Sequence, residues 1–203
     1  SLKRLNLDNV DILLIHDPDS HFQEAMDGAY RALSELRSQG VVKAIGAGMN
    51  QWEMEARLAR EGDFDCFLLA GRYTLLDHQA LPEFLPLCQE KNISVIIGGP
   101  YNSGILASDL TESATFNYVA AQPEVLDRAR RCKDVCDRHG VPLKAAALQF
   151  VFGHPAVTAA IPGPGSAAEA EDNFQMMAHS IPAALWEELR HEGLIPAEAP
   201  TPA

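Results

Sequence analysis

Short runs of uninterrupted apolar residues alternate along this chain with longer segments whose apolar positions recur every three or four residues. The runs are VDILLIH (10–16), VVKAIGA (41–47), DCFLLAG (65–71), ISVIIGG (93–99) and AVTAAIP (156–162). Near-continuous apolar character over so short a span predicts parallel strands buried on both faces; half-exposed strands would alternate. The segments between them read as helices. Phe22, Met26, Ala29, Leu33 and Leu36 share one helical face, and Gly40 ends that segment. Asn50 with Glu53 predicts a helix cap and its box partner, and Ser166 with Glu169 predicts a second, ahead of Ala170, Phe174 and Met177. Pro82, Pro123, Pro142 and Pro182 stand where prolines open helices, and Gly140 closes the one that begins at Pro123.

Five strand-then-helix units with right-handed crossovers make one parallel α/β sheet. The pattern leaves two architectures: an open doubly wound sheet, or part of an eight-stranded (β/α)8 barrel, which typically takes about 250 residues. Residues 1–195 read as one unit, and the Pro- and Ala-rich end, 196–203, as a loose, flexible tail.

Composition narrows the partners. The 203 residues carry a formal net charge of −12, which argues against nucleic acid and anionic membranes, since both select a positive surface. No apolar run approaches the roughly 18 residues of a membrane span. The opening SLKRLNLDNVD, interrupted by Asp8 and Asp11, is not patterned as a secretory signal, and it begins without Met, as a chain starting partway through a longer protein would. Cys66, Cys88, Cys132 and Cys136 lack the spacing of a disulfide framework or a zinc site. They predict reduced thiols, hence a cytoplasmic protein with no structural metal.

The common phosphate and hydrolase motifs are absent: there is no GxxxxGK[ST], no GxGxxG opening a helix after the first strand, no GxSxG and no HExxH. What remains are polar groups just after strand ends: His16, Asp17 and Asp19; Asn50; Arg72 and Tyr73; Tyr101, Asn102 and Ser103; Gly163, Gly165 and Ser166. In parallel α/β folds ligands sit at the carboxyl ends of the strands, so these five ends define the default site. IPGPGS (161–166) places two glycines and a cap before a helix N-terminus, where free N–H groups and the helix dipole would favour a phosphate.

LLIHDPD (13–19), VVKAIGAGMNQWE (41–53), GRYTLLD (71–77), GGPYNSGIL (98–106) and VTAAIPGPGSAAEAEDNF (157–174), in this order and spacing, resemble an aldo-keto reductase. GAGMNQWE, LLAGRYTLLD and GGPYNSGIL are most similar to the group of L-fucose and D-threo-aldose 1-dehydrogenases, with pyridoxal dehydrogenases as relatives. The resemblance implies a barrel of which this chain holds the fourth to eighth strands, with the Asp, Tyr and Lys of the family's catalytic tetrad lying outside it. Asp27-Gly28-Ala29-Tyr30 is similar to the family's Asp and Tyr motif but lies inside a helical segment, and none of the five lysines follows a strand end beside a Tyr.

The resemblance implies the remaining roles. His16 matches the tetrad His that hydrogen-bonds the substrate carbonyl or hydroxyl. Gly48, Met49 and Ala70 occupy the positions of the Ser, Asn and Gln that hold the nicotinamide amide, so Asn50 either supplies that contact or serves only as a helix cap. The nicotinamide-stacking aromatic falls on Gly98, with Tyr101 three residues on. Ser103 matches a pyrophosphate-binding Ser, and Gly163, Gly165 and Ser166 remain the cofactor-phosphate candidates that their spacing before a helix suggests. Asp172 and Asn173 match the acid–amide pair at adenine. Gly163 and Glu169 replace the Lys and Arg that grip the 2′-phosphate of NADP, so NAD is the expected cofactor, with NADP less favoured. The expected reaction is oxidation of an aldose to its lactone by hydride transfer from C1 to nicotinamide. The alternatives are a pyridoxal dehydrogenase, or a catalytically incomplete fragment that binds cofactor, complements a missing N-terminal half, or self-associates through open sheet edges.

Overall fold

A computed structural model describes residues 2–202; Ser1 and Ala203, the outermost residues of the two expected segments, lie outside it. The chain opens with α1 (Leu2–Leu5) and the strand β1 (Ile12–His16). The next helix is continuous from Phe22 to Ser38 but not uniform: α2 (Phe22–Glu24) and α3 (Arg31–Ser38) flank a π-helical stretch, Ala25–Tyr30, that contains the DGAY segment. Then follow β2 (Ala44–Met49), α4 (Trp52–Glu61), β3 (Cys66–Ala70), α5 (Phe84–Glu90) and β4 (Ser94–Gly98). A two-stranded hairpin, β5 (Thr115–Phe116) and β6 (Val119–Ala120), interrupts the alternation. Helices α6 (Pro123–Arg138) and α7 (Leu143–Phe150), strand β7 (Val157–Ile161), and helices α8 (Ala167–Ala178) and α9 (Ala183–His191) complete the chain.

All five expected strands form, and they make one parallel sheet in the order β1-β2-β3-β4-β7. Burial divides them. The three central strands are largely buried, whereas β1 and β7 are only partly covered, with Ile12 45% and Ile161 49% exposed. Burial on both faces, expected of every strand, therefore fails at the two edges, because each has a ladder partner on one side only. The core is continuous from Ile45, Leu69 and Ile97 in the sheet to Phe84, Phe150 and Trp186 on the covering helices.

Two local expectations are corrected. The helix after β2 is not capped by Asn50: Gln51 occupies the cap position, and the Asn50 amide instead donates to the Ala70 carbonyl at 2.8 Å. The helix after Pro82 begins later, at Phe84. The Pro- and Ala-rich end, expected to be loose, packs against the body of the chain. Ala199 is buried, and Arg190 donates to the Ala199 carbonyl and the Thr201 hydroxyl, each at 2.9 Å. The Pro200 and Thr201 backbone lies so close to Gly153 that a Cβ there would be 2.4 Å from the Pro200 oxygen.

The four cysteines are free and buried. Burial pushes the Cys66 thiol up to about 11 and the other three up to about 12, so none is a ready nucleophile at neutral pH. Glu55 is less expected. It is fully buried on α4, and neither carboxyl oxygen has a hydrogen-bond partner among the described residues. Burial pushes its pKa well above the carboxylate range, with the nearby Met49 backbone acting in the opposite direction. The folded chain therefore holds the Glu55 proton more tightly than the unfolded chain does, a contribution present below about pH 4.5 and lost as pH rises through the folded value. Glu55→Met is expected to stabilise the protein by about 1–2 kcal/mol at pH 7 and by less near pH 4.5, read as urea midpoints at the two pH values. Equal gains at both would mean that the carboxyl is not held neutral. His78 acts in the opposite sense. Burial first, then the Arg128 charge, pushes it down from 6.5 to about 4, so its contribution is present above pH 6.5 and lost as pH falls through about 4.

Candidate functional site

The strands end side by side at one edge of the sheet. His16 pairs with Gly48, Met49 with Leu69, Ala70 with Gly98, and Gly98 with Ile161. The loops that follow β4 and β7 rise from this edge and enclose a cleft.

The loop after β7 runs from Pro162 to Ser166 and turns into α8. Gly163, at φ +68, takes the left-handed conformation that glycine adopts at least cost. Ser166 caps α8, its hydroxyl accepting the Glu169 N–H at 3.2 Å. The reciprocal half of the expected box differs: the Glu169 carboxylate accepts from the Gly165 N–H at 2.7 Å. A carboxylate of the chain itself thus lies at the positive end of the helix.

The loop after β4 is held more tightly. Asn102 and Ser103 are both left-handed, at φ 47 and 57, and Asn102 is buried. Its side chain accepts from the Thr74 hydroxyl at 2.5 Å and donates to the Gly71 carbonyl at 3.2 Å. The loop after β3 therefore fixes the loop after β4, and with it Ser103. The Ser103 hydroxyl accepts the Tyr118 N–H at 3.0 Å, which leaves its own proton free to donate to a ligand.

Between these loops lies a cleft of ≈ 780 Å³. Tyr101, Ser103, Gly163, Glu169 and Asn173, all singled out from the sequence, line it together. Lys144, which sequence reasoning passed over, lines it too, from the first turn of α7. It forms an ion pair with Asp172 and sits 5.4 Å from the centre of the Tyr101 ring. The Asp172 carboxylate, expected at adenine, is therefore engaged by Lys144. The Tyr101 hydroxyl donates to Asn173 Oδ1 at 2.8 Å. Burial, then the Asp172 charge, raises its pKa, so Tyr101 keeps its proton and acts as a hydrogen-bonding and packing group.

His16 stands apart. Its side chain is 90% exposed at the end of edge strand β1, with the Asp17 carboxylate 3.6 Å away. Three strand spacings of about 4.8 Å put β1 about 14 Å from β4, along the same edge. Asn50 lies between them, its amide spent on bridging β2 to β3. Tyr73, the other buried tyrosine near this edge, has no partner for its hydroxyl among the described residues, and burial pushes its pKa up. Both buried tyrosines are thus shifted away from the range useful for proton transfer at neutral pH. Among the described residues no group of His, Cys, Asp and Glu could hold a metal ion, and no helix is long and apolar enough to cross a membrane.

The aldo/keto reductase family profile matches residues 1–191. The chain belongs to the aldo/keto reductase family. It is 40% identical to pyridoxal 4-dehydrogenase of Microbacterium luteolum, over 96% of this chain and 60% of that protein. It is 39% identical to D-threo-aldose 1-dehydrogenase of a Pseudomonas species, over 97% of this chain and 60% of that protein. Among solved structures, the apo form of aldo-keto reductase AKR11C1 from Bacillus halodurans superposes with a TM-score of 0.75 at 22% identity, over 98% of this chain and 66% of that one. This aldo/keto reductase chain thus spans about 60% of the length of the curated relatives it matches.

Proposed function

We propose that this aldo/keto reductase chain is the cofactor-holding part of an NAD-dependent aldose 1-dehydrogenase, comprising the fourth to eighth strands of its barrel. The observation that carries the reading is the cleft beside β4 and β7, in which five residues implied by the resemblance converge. The partly covered edges at β1 and β7 support it further, as the places where strands outside these 203 residues would pair.

The residues present fit a dinucleotide. Ser103 has a hydroxyl proton free to donate to the pyrophosphate. Gly163 presents bare backbone in which a Cβ would meet nothing within 4 Å. Tyr101 and Asn173, linked to each other, would hold the adenosine end. The nicotinamide, when bound, supplies the hydride acceptor. His16 would hydrogen-bond the sugar hydroxyl and orient it, in a cytoplasmic enzyme whose thiols stay reduced.

The exposure of His16 and the raised pKa of both buried tyrosines favour a second element of the proposal: the chain alone binds cofactor without turning over. The test is NADH binding by fluorescence together with NADH formation from NAD and L-fucose or a D-threo-aldose. Binding without NADH formation is the expected result. NADH formation by the chain alone would overturn the incompleteness, and folded protein that fails to bind NADH would overturn the cofactor reading. Pyridoxal as substrate is the competing outcome of the same assay, run after an N-terminal segment has been supplied.

A further inference from the structure

Residues 104–122 do not follow the strand–helix alternation, and the hairpin within them carries an unusual tip. Asn117 and Tyr118 are the two loop residues between β5 and β6, both with positive φ, 51 and 65. Such two-residue hairpin loops strongly favour Asn followed by Gly, because the second position also needs the left-handed region. Here a tyrosine occupies it, in a conformation that its Cβ disfavours. The residue is also 85% exposed. A large aromatic that is both backbone-strained and solvated adds little to the fold, and local strain of this kind concentrates at ligand clamps.

The hairpin is nevertheless firmly placed. Tyr118 N–H donates to Ser103 Oγ at 3.0 Å, and Thr115 Oγ1 donates to the Ser103 carbonyl at 2.9 Å. Arg72 holds the tip through Asn117 Oδ1 at 2.8 Å. These contacts set Tyr118 in the wall of the cleft, which also includes Pro162, Gly163 and Pro164. The cleft's other tyrosine, Tyr101, is buried, with its hydroxyl bound to Asn173 and Lys144 near its ring. Tyr118 therefore offers the free aromatic face.

We infer that the Tyr118 ring is a stacking platform for a base of the bound dinucleotide, an inference that rests on the cleft being the cofactor site. The ring is presented on a pinned hairpin, so little freedom is lost when a base settles against it. Its contribution comes from the aromatic face, and the hydroxyl is dispensable.

The experiment measures NADH binding by fluorescence, with competition by AMP and by inorganic pyrophosphate, alongside thermal melting. The proteins are the wild-type chain, Tyr118→Phe, Tyr118→Gly and Tyr118→Asn; Gly and Asn both tolerate the left-handed backbone. Tyr118→Phe should bind NADH as the wild type does. Tyr118→Gly and Tyr118→Asn should bind it about tenfold more weakly while melting at the same temperature or higher. A loss shared by AMP identifies adenine as the stacked base, and a loss confined to NADH identifies nicotinamide; either supports the inference. Pyrophosphate competition should be unchanged. If wild-type and Tyr118→Gly bind NADH equally well, the inference fails while the cofactor site stands. If the folded wild type binds no NADH, both fail.

Discussion

Gly46→Ala is expected to cost about 4 kcal/mol or more of folding stability, read as a lowered urea midpoint. Gly46 lies in the centre of β2, beside Leu14 of β1 and Cys66 of β3. A Cβ there would lie 2.0 Å from the Cys66 carbonyl oxygen and 2.8 Å from Leu14 Cδ2. The leucine methyl can rotate aside, but the backbone oxygen cannot, so the two strands must part. Domains are stable by only about 5–15 kcal/mol, and this sheet has two edges with unpaired backbone. Parting β2 from β3 would also strain the bridge from Asn50 to Ala70 at the carboxyl edge. Gly28→Ala is the internal control. Gly28 lies in a helix with nothing within 4 Å of an added Cβ, so the change should be neutral or stabilising by about 0.5–1 kcal/mol. An unchanged midpoint for Gly46→Ala would show that the spacing of β2 and β3 relaxes without cost.

The strands were legible because a buried parallel strand writes itself as an apolar run, and each expected run contains or overlaps an observed strand. The second run, 41–47, begins before its strand at Ala44, since Val41 is exposed and Lys43 pairs with Asp11 before the ladder begins. Ser166 was legible as a cap because its bond is local, three residues along the chain. Asn50 was not, because its amide finds a carbonyl on the neighbouring strand, 20 residues away. The packing of the tail is not legible for a similar reason: Pro and Ala show no periodicity, and the bare backbone of Gly153 that receives it lies far off in sequence. Strand ends point to the cleft-lining residues after β4 and β7 but not to Lys144, which lines the cleft from the first turn of a helix. Nor do they point to Tyr118, whose short hairpin carries no apolar run. Strand ends alone therefore describe the floor of this cleft, while helix starts and the hairpin supply much of its wall.

Glu169→Arg is expected to shift the ratio of NADPH to NADH affinity by about 100-fold toward NADPH, and Glu169→Gln by about tenfold. The carboxylate already occupies the Gly165 N–H, at the helix end where a phosphate would otherwise find a donor. Glu169 is exposed, so a further anion brought about 5 Å from it would meet a solvent-screened repulsion of about 1–1.5 kcal/mol per unit charge, less at high salt. The 2′-phosphate of NADP adds such an anion; the 2′-hydroxyl of NAD does not and can instead donate to the carboxylate. Gln keeps an acceptor for Gly165 and removes the charge, so it separates charge repulsion from loop support. Arg adds attraction but gives up the contact at Gly165, so its melting temperature should fall slightly while its selectivity moves most. The measurement is the dissociation constant of each reduced cofactor for the three proteins at two salt concentrations. A ratio that shifts with Gln and weakens with salt identifies Glu169 as the residue that selects NAD. A ratio unmoved by Gln would leave the carboxylate with a structural role alone, and the proposed preference for NAD would lose its basis at Glu169.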